Sequence, residues 1–172
     1  TGQATRRKTP SITEAIDLIS TVSQENGKNR VSLYDNHVML RGLAMYDTKM
    51  AATWFSAGAV MCGLGVLLGA FGAHGLRDRV TPEMLAVFET GIRYHLVHGL
   101  ALLAVAWATT RWPDTWITAS GWLFVAGIMV FSGSLYLLSI TGVRWLGAIT
   151  PIGGLCFVAG WLILALSAIR TP

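Results

Sequence analysis

The chain has 172 residues, of which 53% are hydrophobic and only 13% are charged, and its mean hydropathy is positive. About a quarter of the residues of a soluble domain are charged, so this composition excludes an ordinary soluble domain and predicts a helical membrane protein. The net charge of +4 suits an anionic lipid surface. Nucleic-acid binding is not expected, because the sequence has no basic stripe with interleaved aromatic residues.

Residues 1–49 form a polar N-terminal extension with too few apolar residues for a core of its own. We expect it to be partly disordered, or ordered only against a partner or the membrane. Four apolar residues recur at helical spacing: Ile12, Ile16, Ile19 and Val22. They predict a short amphipathic helix. Two short apolar runs, 31–34 and 37–40, would fit a β-hairpin. A foreign fusion segment ahead of Met50 is an open alternative, because Met50 reads like a natural start.

Residues 50–172 are predicted to be a four-helix transmembrane domain. Each of its apolar runs is about as long as a helix must be to cross roughly 30 Å of hydrocarbon. The runs cover about 54–72, 88–110, 116–139 and 145–169. The predicted fold class is therefore all-α: a four-transmembrane-helix bundle with an N-terminal polar extension that contains a short amphipathic helix.

Several local signals refine these spans. In the first span, Gly65 and Gly69 form a small-xxx-small step that lets another helix approach closely. The sequence 81–83, Thr-Pro-Glu, predicts the start of the second helix, with Thr81 as its N-cap. In the fourth span, Pro151 is expected to kink the helix. Both cysteines lie inside apolar runs without ligand spacing, and we interpret them as small core residues.

The second span carries most of the polar residues of the membrane region. At 100° per residue, Glu89 and Arg93 share one face as an i,i+4 pair, whereas Tyr94, His95 and His98 lie on roughly the opposite side. The first pair is interpreted as an interfacial ion pair that fixes helix depth, or alternatively as a gate. The second group fits either hydrogen bonds to neighbouring helices or a functional patch, since ionisable residues at membrane depth are functional candidates.

The two histidines of this span, together with His74 at the end of the first, also fit a metal or haem site or a proton relay. No acidic residue completes the ligand set on that face, so we predict no metal or cofactor. Serine catalysis is not expected either, because a nucleophile elbow is missing. The candidate functional or helix-packing positions are His74, Arg77, Glu89, Arg93, Tyr94, His95, His98, Ser132, Ser134, Tyr136, Thr150 and Pro151.

Four segments carry a family resemblance: residues 69–76 (GAFGAHGL), 93–103 (RYHLVHGLALL), 131–136 (FSGSLY) and 147–154 (GAITPIGG), the last followed by Gly160-Trp161. In this order they resemble the small four-helix membrane family of unknown function that includes transmembrane protein 256 and a bacterial inner-membrane relative. The resemblance covers about residues 50–170 and leaves out the extension. It implies an integral protein of a bacterial inner (plasma) membrane, with no activity, substrate or cofactor.

Three functional hypotheses follow. The leading one is a non-enzymatic accessory or packing subunit that associates with other membrane-protein subunits, or with copies of itself, in the lipid bilayer. The second is an oligomer that conducts protons or a small solute through the Tyr94, His95 and His98 patch. The third is a membrane-embedded metal or redox protein.

Overall fold

A computed structural model describes residues 12–25, 30–112 and 115–170. Within these ranges every regular element is helical and there is no strand, so the all-α prediction is confirmed. The α-helices are α1 (Ile12–Glu25), α2 (Arg30–Phe71), α3 (Pro82–Arg111), α4 (Thr115–Gly127), α5 (Gly133–Thr141) and α6 (Thr150–Arg170). Short π-helical segments cover Gly72–Leu76 and Ile128–Ser132, and a 3-10 helix covers Arg144–Ala148.

The chain divides into two compact units, residues 1–46 and residues 47–172. The first unit contains α1, which occupies the region of the predicted N-terminal helix; its amphipathic character stays a prediction. The predicted hairpin is wrong, because residues 31–40 belong to α2. Leu33, Met39 and Leu40 are strong helix formers, and extending an existing helix needs no new nucleus. Residues 1–11 and 26–29 of the extension lie outside the described residues.

Three helical stretches in the described part of the chain are long and apolar enough to cross a membrane: Thr48–Leu76, Thr115–Thr141 and Arg144–Arg170. Large apolar side chains cover their outer surfaces, among them Leu67, Met129 and Leu155, each more than 60% exposed. Such continuous apolar surface is rare on a soluble monomer and is typical of helices that face lipid. The second unit is therefore built to be dissolved in a bilayer.

α3 begins as its sequence predicts. Thr81 is the N-cap, and its hydroxyl accepts a hydrogen bond from the Met84 backbone N–H at 3.4 Å. Pro82 occupies the first helical position, where its missing N–H costs no bond. The Glu83 carboxylate accepts hydrogen bonds from its own backbone N–H and from the Thr81 hydroxyl, and these bonds lower the pKa of Glu83. The helix then runs without a break to Arg111.

Pro151 lies in the first turn of α6, so the predicted fourth span is divided just before this proline into the 3-10 helix Arg144–Ala148 and α6. At this position proline removes no helical hydrogen bond. The chain reaches it by leaving α5 at Gly142, whose φ of +72° belongs to the left-handed region that favours glycine. It then tightens into the 3-10 helix Arg144–Ala148 before α6 starts.

Contacts between aromatic rings and glycines hold the helices of the second unit together. At five inter-helix positions a ring occupies the place that a Cβ atom would take on a glycine of the facing helix. These pairs are Phe88 on Gly72, Tyr136 on Gly91, Trp54 on Gly121, Phe157 on Gly127 and Phe124 on Gly160. Because lipid tails are as apolar as leucine, helices in a membrane associate through such close packing and through hydrogen bonds.

A second set of glycines sets the distance between α2 and α3. Gly58, Gly65 and Gly72 are seven residues apart and therefore lie on one face of the helical stretch Thr48–Leu76. A Cβ on Gly58 would come within 2.9 Å of the Gly99 carbonyl oxygen, and one on Gly65 within 2.6 Å of Leu96. At Gly69, which the sequence also predicts to be a tight position, the distance to Ile92 is an ordinary 3.9 Å. Of the two glycines predicted from the sequence, close approach is confirmed at Gly65 only.

The tightest backbone approach joins α6 to the π-helical segment Ile128–Ser132. A Cβ on Gly153 would collide with the backbone of Phe131, whereas one on the adjacent Gly154 would lie 3.9 Å from the Phe131 ring. The α4–α5 stretch widens by one residue at this π-helical segment, a feature found often at functional sites. Gly153 is the residue that lets α6 touch it.

Gly153→Ala is therefore expected to lower the free energy of unfolding by about 1–3 kcal/mol, since backbone cannot yield as a flexible side chain does. Gly154→Ala is the matched control and should change it by less than about 0.5 kcal/mol. Thermal denaturation of both variants in mild detergent, followed by size-exclusion chromatography, measures the difference. Equal stability of the two variants would contradict the close approach.

Candidate functional site

Two buried histidines of α3, His95 and His98, contact the neighbouring helices α5 and α6. His95 is 5% exposed and His98 is 4% exposed, whereas Tyr94 is 44% exposed. The two histidines are three residues apart and therefore project from neighbouring turns of the same face. A buried polar group in a membrane needs a hydrogen-bond partner within the protein, because hydrocarbon offers none.

Both ring nitrogens of His98 are bonded. Its Nδ1 lies 2.7 Å from the Tyr94 carbonyl oxygen, and its Nε2 accepts a hydrogen bond from the Trp161 indole N–H at 3.2 Å. A carbonyl oxygen can only accept and an indole N–H can only donate. The neutral Nδ1–H tautomer satisfies both bonds at once. His98 thereby joins α3 to α6.

Aromatic rings enclose the imidazole of His98. The Phe157 ring stacks on it with a centroid distance of 3.4 Å and an interplanar angle of 8°, and Phe124 lies 5.6 Å away. These are two of the rings that occupy glycine positions, on Gly127 and Gly160. The packing that brings α4 and α6 together therefore also shields His98 from its surroundings.

His95 joins α3 to α5 in a different way. Its Nδ1 lies 3.2 Å from the Tyr136 hydroxyl. Its Nε2 is buried and has no hydrogen-bond partner within the described part of the chain. The two atoms bond either with the tyrosine hydroxyl donating to Nδ1 or with Nδ1–H donating to the hydroxyl oxygen.

The serines of the third span take different positions. The Ser134 hydroxyl bonds the Phe131 carbonyl oxygen at 2.9 Å and lies 3.2 Å from the Thr150 hydroxyl, which joins α5 to the first turn of α6. Ser132 is completely buried, and its hydroxyl has no hydrogen-bond partner among the described residues. In the part of the chain that the structure describes, no histidine bonds either serine hydroxyl, as nucleophilic catalysis would require.

The remaining predicted positions lie apart from this cluster. His74 and Arg77 are exposed at the end of the first span. Glu89 and Arg93 are both exposed, and within the described ranges no ion pair joins them. Four of the predicted residues form two contacts: His95 with Tyr136, and His98 with Tyr94. His74 takes part in neither of them.

No group of three His, Cys, Asp or Glu side chains in the described part of the chain is arranged to hold a metal ion. His95 and His98 each use Nδ1 for a hydrogen bond within the protein. These residues therefore do not provide a set of metal ligands and do not support the metal hypothesis. What the arrangement provides is a set of neutral hydrogen bonds that connect one helix to two others.

Sequence reasoning missed three residues of this site: Phe124, Phe157 and Trp161. Each lies in an apolar run, and nothing in its own helix marks it as the neighbour of a histidine. The only signal is the pairing of Gly160 with Trp161, which puts a small residue beside a ring with an N–H donor.

The His95–Tyr136 bond can be measured by a double-mutant cycle. Tyr136→Phe removes only the hydroxyl, and we expect a coupling energy with His95→Leu of about 0.6–1.7 kcal/mol, the range found for hydrogen bonds between membrane helices. The free energy of unfolding in mixed micelles gives the four corners of the cycle. A coupling energy of zero would mean that His95 and Tyr136 do not form a hydrogen bond in the folded protein in micelles.

The apolar outer surface, the glycine-mediated contacts and the hydrogen-bonded buried histidines define an α-helical integral membrane protein that crosses the bilayer several times. The chain belongs to the family described as "Protein of unknown function (DUF423)", whose profile matches residues 68–154. This confirms the predicted resemblance to a membrane family of unknown function. The match begins near the end of α2 and ends in the first turns of α6, so it includes His95, His98 and Tyr136 but not Trp161.

Bacterial relatives are similar over most of the second unit. The UPF0382 membrane protein YwdK of Bacillus subtilis (strain 168) is 45% identical over 114 residues, which cover 66% of this chain and 93% of the relative. A UPF0382 membrane protein of Staphylococcus haemolyticus is 45% identical over 115 residues, covering 66% of this chain and 92% of the relative. One from Staphylococcus aureus (strain bovine RF122 / ET3-1) is 44% identical with the same coverage. No solved structure matches the chain.

Proposed function

We propose that this protein is a non-enzymatic accessory or packing subunit, with four membrane-spanning helices, that associates with other membrane-protein subunits or with copies of itself. The observation that carries the proposal is the poor coverage of α2. Only 17% of the most apolar part of Thr48–Leu76 is buried, against 22% of the corresponding part of Arg144–Arg170 and 39% of that of Thr115–Thr141. A helix so little covered has most of its surface available for lipid or a partner.

Support for a fourth span comes from the contacts of α3. It lies against α2 from Leu103, which faces Gly58, to Phe88, which faces Gly72. The two glycines are 14 residues apart, which corresponds to about 21 Å along a helix. A helix that follows a membrane-spanning neighbour over that length occupies the same depth. With 30 residues, α3 is also long enough to cross.

Cysteine labelling tests whether α3 crosses. In a Cys62→Ser, Cys156→Ser background, single cysteines at Arg79, Arg111 and Val143 are treated with a membrane-impermeant maleimide in sealed vesicles of known orientation. Four spans predict that Arg79→Cys and Val143→Cys react from one side and Arg111→Cys from the other. If Arg79→Cys and Arg111→Cys react from the same side, α3 does not cross.

Support for a partner comes from the outward face of α2. Five exposed small residues lie within about 60° of one another on this helix, counted at 100° per residue. They are Ala52, Ser56, Ala59, Gly63 and Ala70. This outward face lies roughly opposite Gly58 and Gly65, which face α3. α2 thus has small residues on two opposite sides, and α3 covers one of them. Small residues are what close helix contact in a membrane requires.

The proposed partner surface is tested by bulky substitutions. The double variant Ala59→Leu, Gly63→Leu should reduce the recovery of a cross-linked partner or oligomer from native membranes at least tenfold, because leucine prevents close approach. A methyl group added at Gly63 would meet no other helix of the described part of the chain within 4 Å, so the chain's own packing should not suffer. Ala126→Leu, exposed on α4, is the matched control. A lone monomer for the unmodified chain in native membranes would overturn the proposal.

The alternative of proton or small-solute conduction through Tyr94, His95 and His98 has weaker support. A conducting histidine must exchange its hydrogen-bond partners as a proton or solute passes. His98 is bonded at both nitrogens and stacked on Phe157, which opposes such exchange. A flux in proteoliposomes that His98→Leu abolishes, without a change in folding, would favour this alternative over the accessory role.

A further inference from the structure

A cleft of about 110 Å³ lies between the start of α4 and the end of α6. Its lining residues are Trp116, Ile163, Leu166, Ser167 and Arg170. The volume is several times the roughly 30 Å³ that one water molecule occupies in the liquid. This cleft shares no lining residue with the histidine cluster, and the accessory role proposed above does not involve it.

Polarity changes along the cleft in one direction. Ile163, Leu166 and Arg170 follow one another at steps of three and four residues, so they lie on one face of α6. From Ile163 to Arg170 the helix rises about 10 Å. The inner end of the cleft is therefore apolar, and its outer end carries a guanidinium group.

The position of the cleft along the bilayer normal follows from the two helices that form it. Trp116 is the second residue of α4, and Arg170 is the last residue of α6. Because α4–α5 and α6 are consecutive spans, the start of one and the end of the other lie at the same face of the membrane. Tryptophan is enriched at the level of the lipid headgroups, and arginine reaches that level from the end of a span.

We propose that this cleft is a binding site for one anionic phospholipid. The lipid phosphate would bond the Arg170 guanidinium, whose planar fork matches phosphate oxygens, and an acyl chain would lie along Leu166 and Ile163. The Trp116 indole would cover the glycerol region between them. Free phosphate could use only the outer end and would gain nothing from the apolar wall. A membrane lipid is the ligand that uses the whole cleft.

Native mass spectrometry of the detergent-purified full chain tests the site. Phosphatidylglycerol, phosphatidylcholine and inorganic phosphate are titrated separately, and the population with one bound ligand is measured. We expect a first phosphatidylglycerol to bind more tightly than phosphatidylcholine. Arg170→Gln should weaken this binding about fivefold, as expected for the loss of one interfacial charge. Arg170→Lys should retain part of it.

Arg111→Gln is the matched control. Arg111 ends α3 only a few residues before α4 begins, so it lies at the same membrane face but does not line the cleft. It should leave the first binding event unchanged. Equal weakening by Arg111→Gln would mean general attraction of anionic lipid and would overturn the site. Competition by millimolar inorganic phosphate would overturn the lipid assignment.

Leu166→Trp provides a second test that keeps every charge. The larger side chain fills the cleft, and it should abolish the first phosphatidylglycerol adduct while size-exclusion chromatography shows an intact protein. Unchanged binding in this variant would contradict the acyl-chain position. Lipid binding measured in this way does not depend on partners or oligomers. A negative result would therefore leave the accessory role standing, and the absence of a partner would leave the lipid site standing.

Discussion

The Phe157 ring is the contact on which most of the membrane unit depends. On one side it fills the space that the absent side chain of Gly127 leaves on α4, and on the other it stacks on the imidazole of His98. If either neighbour changed, the ring would lose its place. In water the hydrophobic effect would drive these helices together, but in lipid it does not act between them. Close packing of this kind must therefore stabilise their association.

From this contact the role of the buried histidines follows. His98 is held at a fixed distance from α6 and can therefore accept the Trp161 N–H, while His95 bonds Tyr136 on α5. The two histidines act as connectors between helices. His98 is bonded at both ring nitrogens and His95 at Nδ1, so most of their polar atoms have a partner within the protein. α3 is thus fixed to two neighbours by bonds and to α2 by glycine packing.

Much of the fold could be predicted from the sequence because the signals are local. Long apolar runs predict spanning helices, and Thr81 before Pro82 predicts where α3 starts. The partners of His98 could not be predicted, because they depend on which face of α6 points toward α3. The sequence of a uniformly apolar helix does not indicate that face. The hairpin prediction for residues 31–40 failed because short apolar runs fit strand and helix alike, and the adjoining helix decides between them.

The tautomer of His98 tests the central claim most directly. In protein labelled with ¹⁵N-histidine and reconstituted in lipid nanodiscs, solid-state or solution NMR distinguishes a protonated from an unprotonated ring nitrogen. Contact with the Tyr94 carbonyl and the Trp161 indole predicts a single species with the proton on Nδ1 and none on Nε2. A proton on Nε2, or a mixture of tautomers, would mean that His98 does not join α3 to α6.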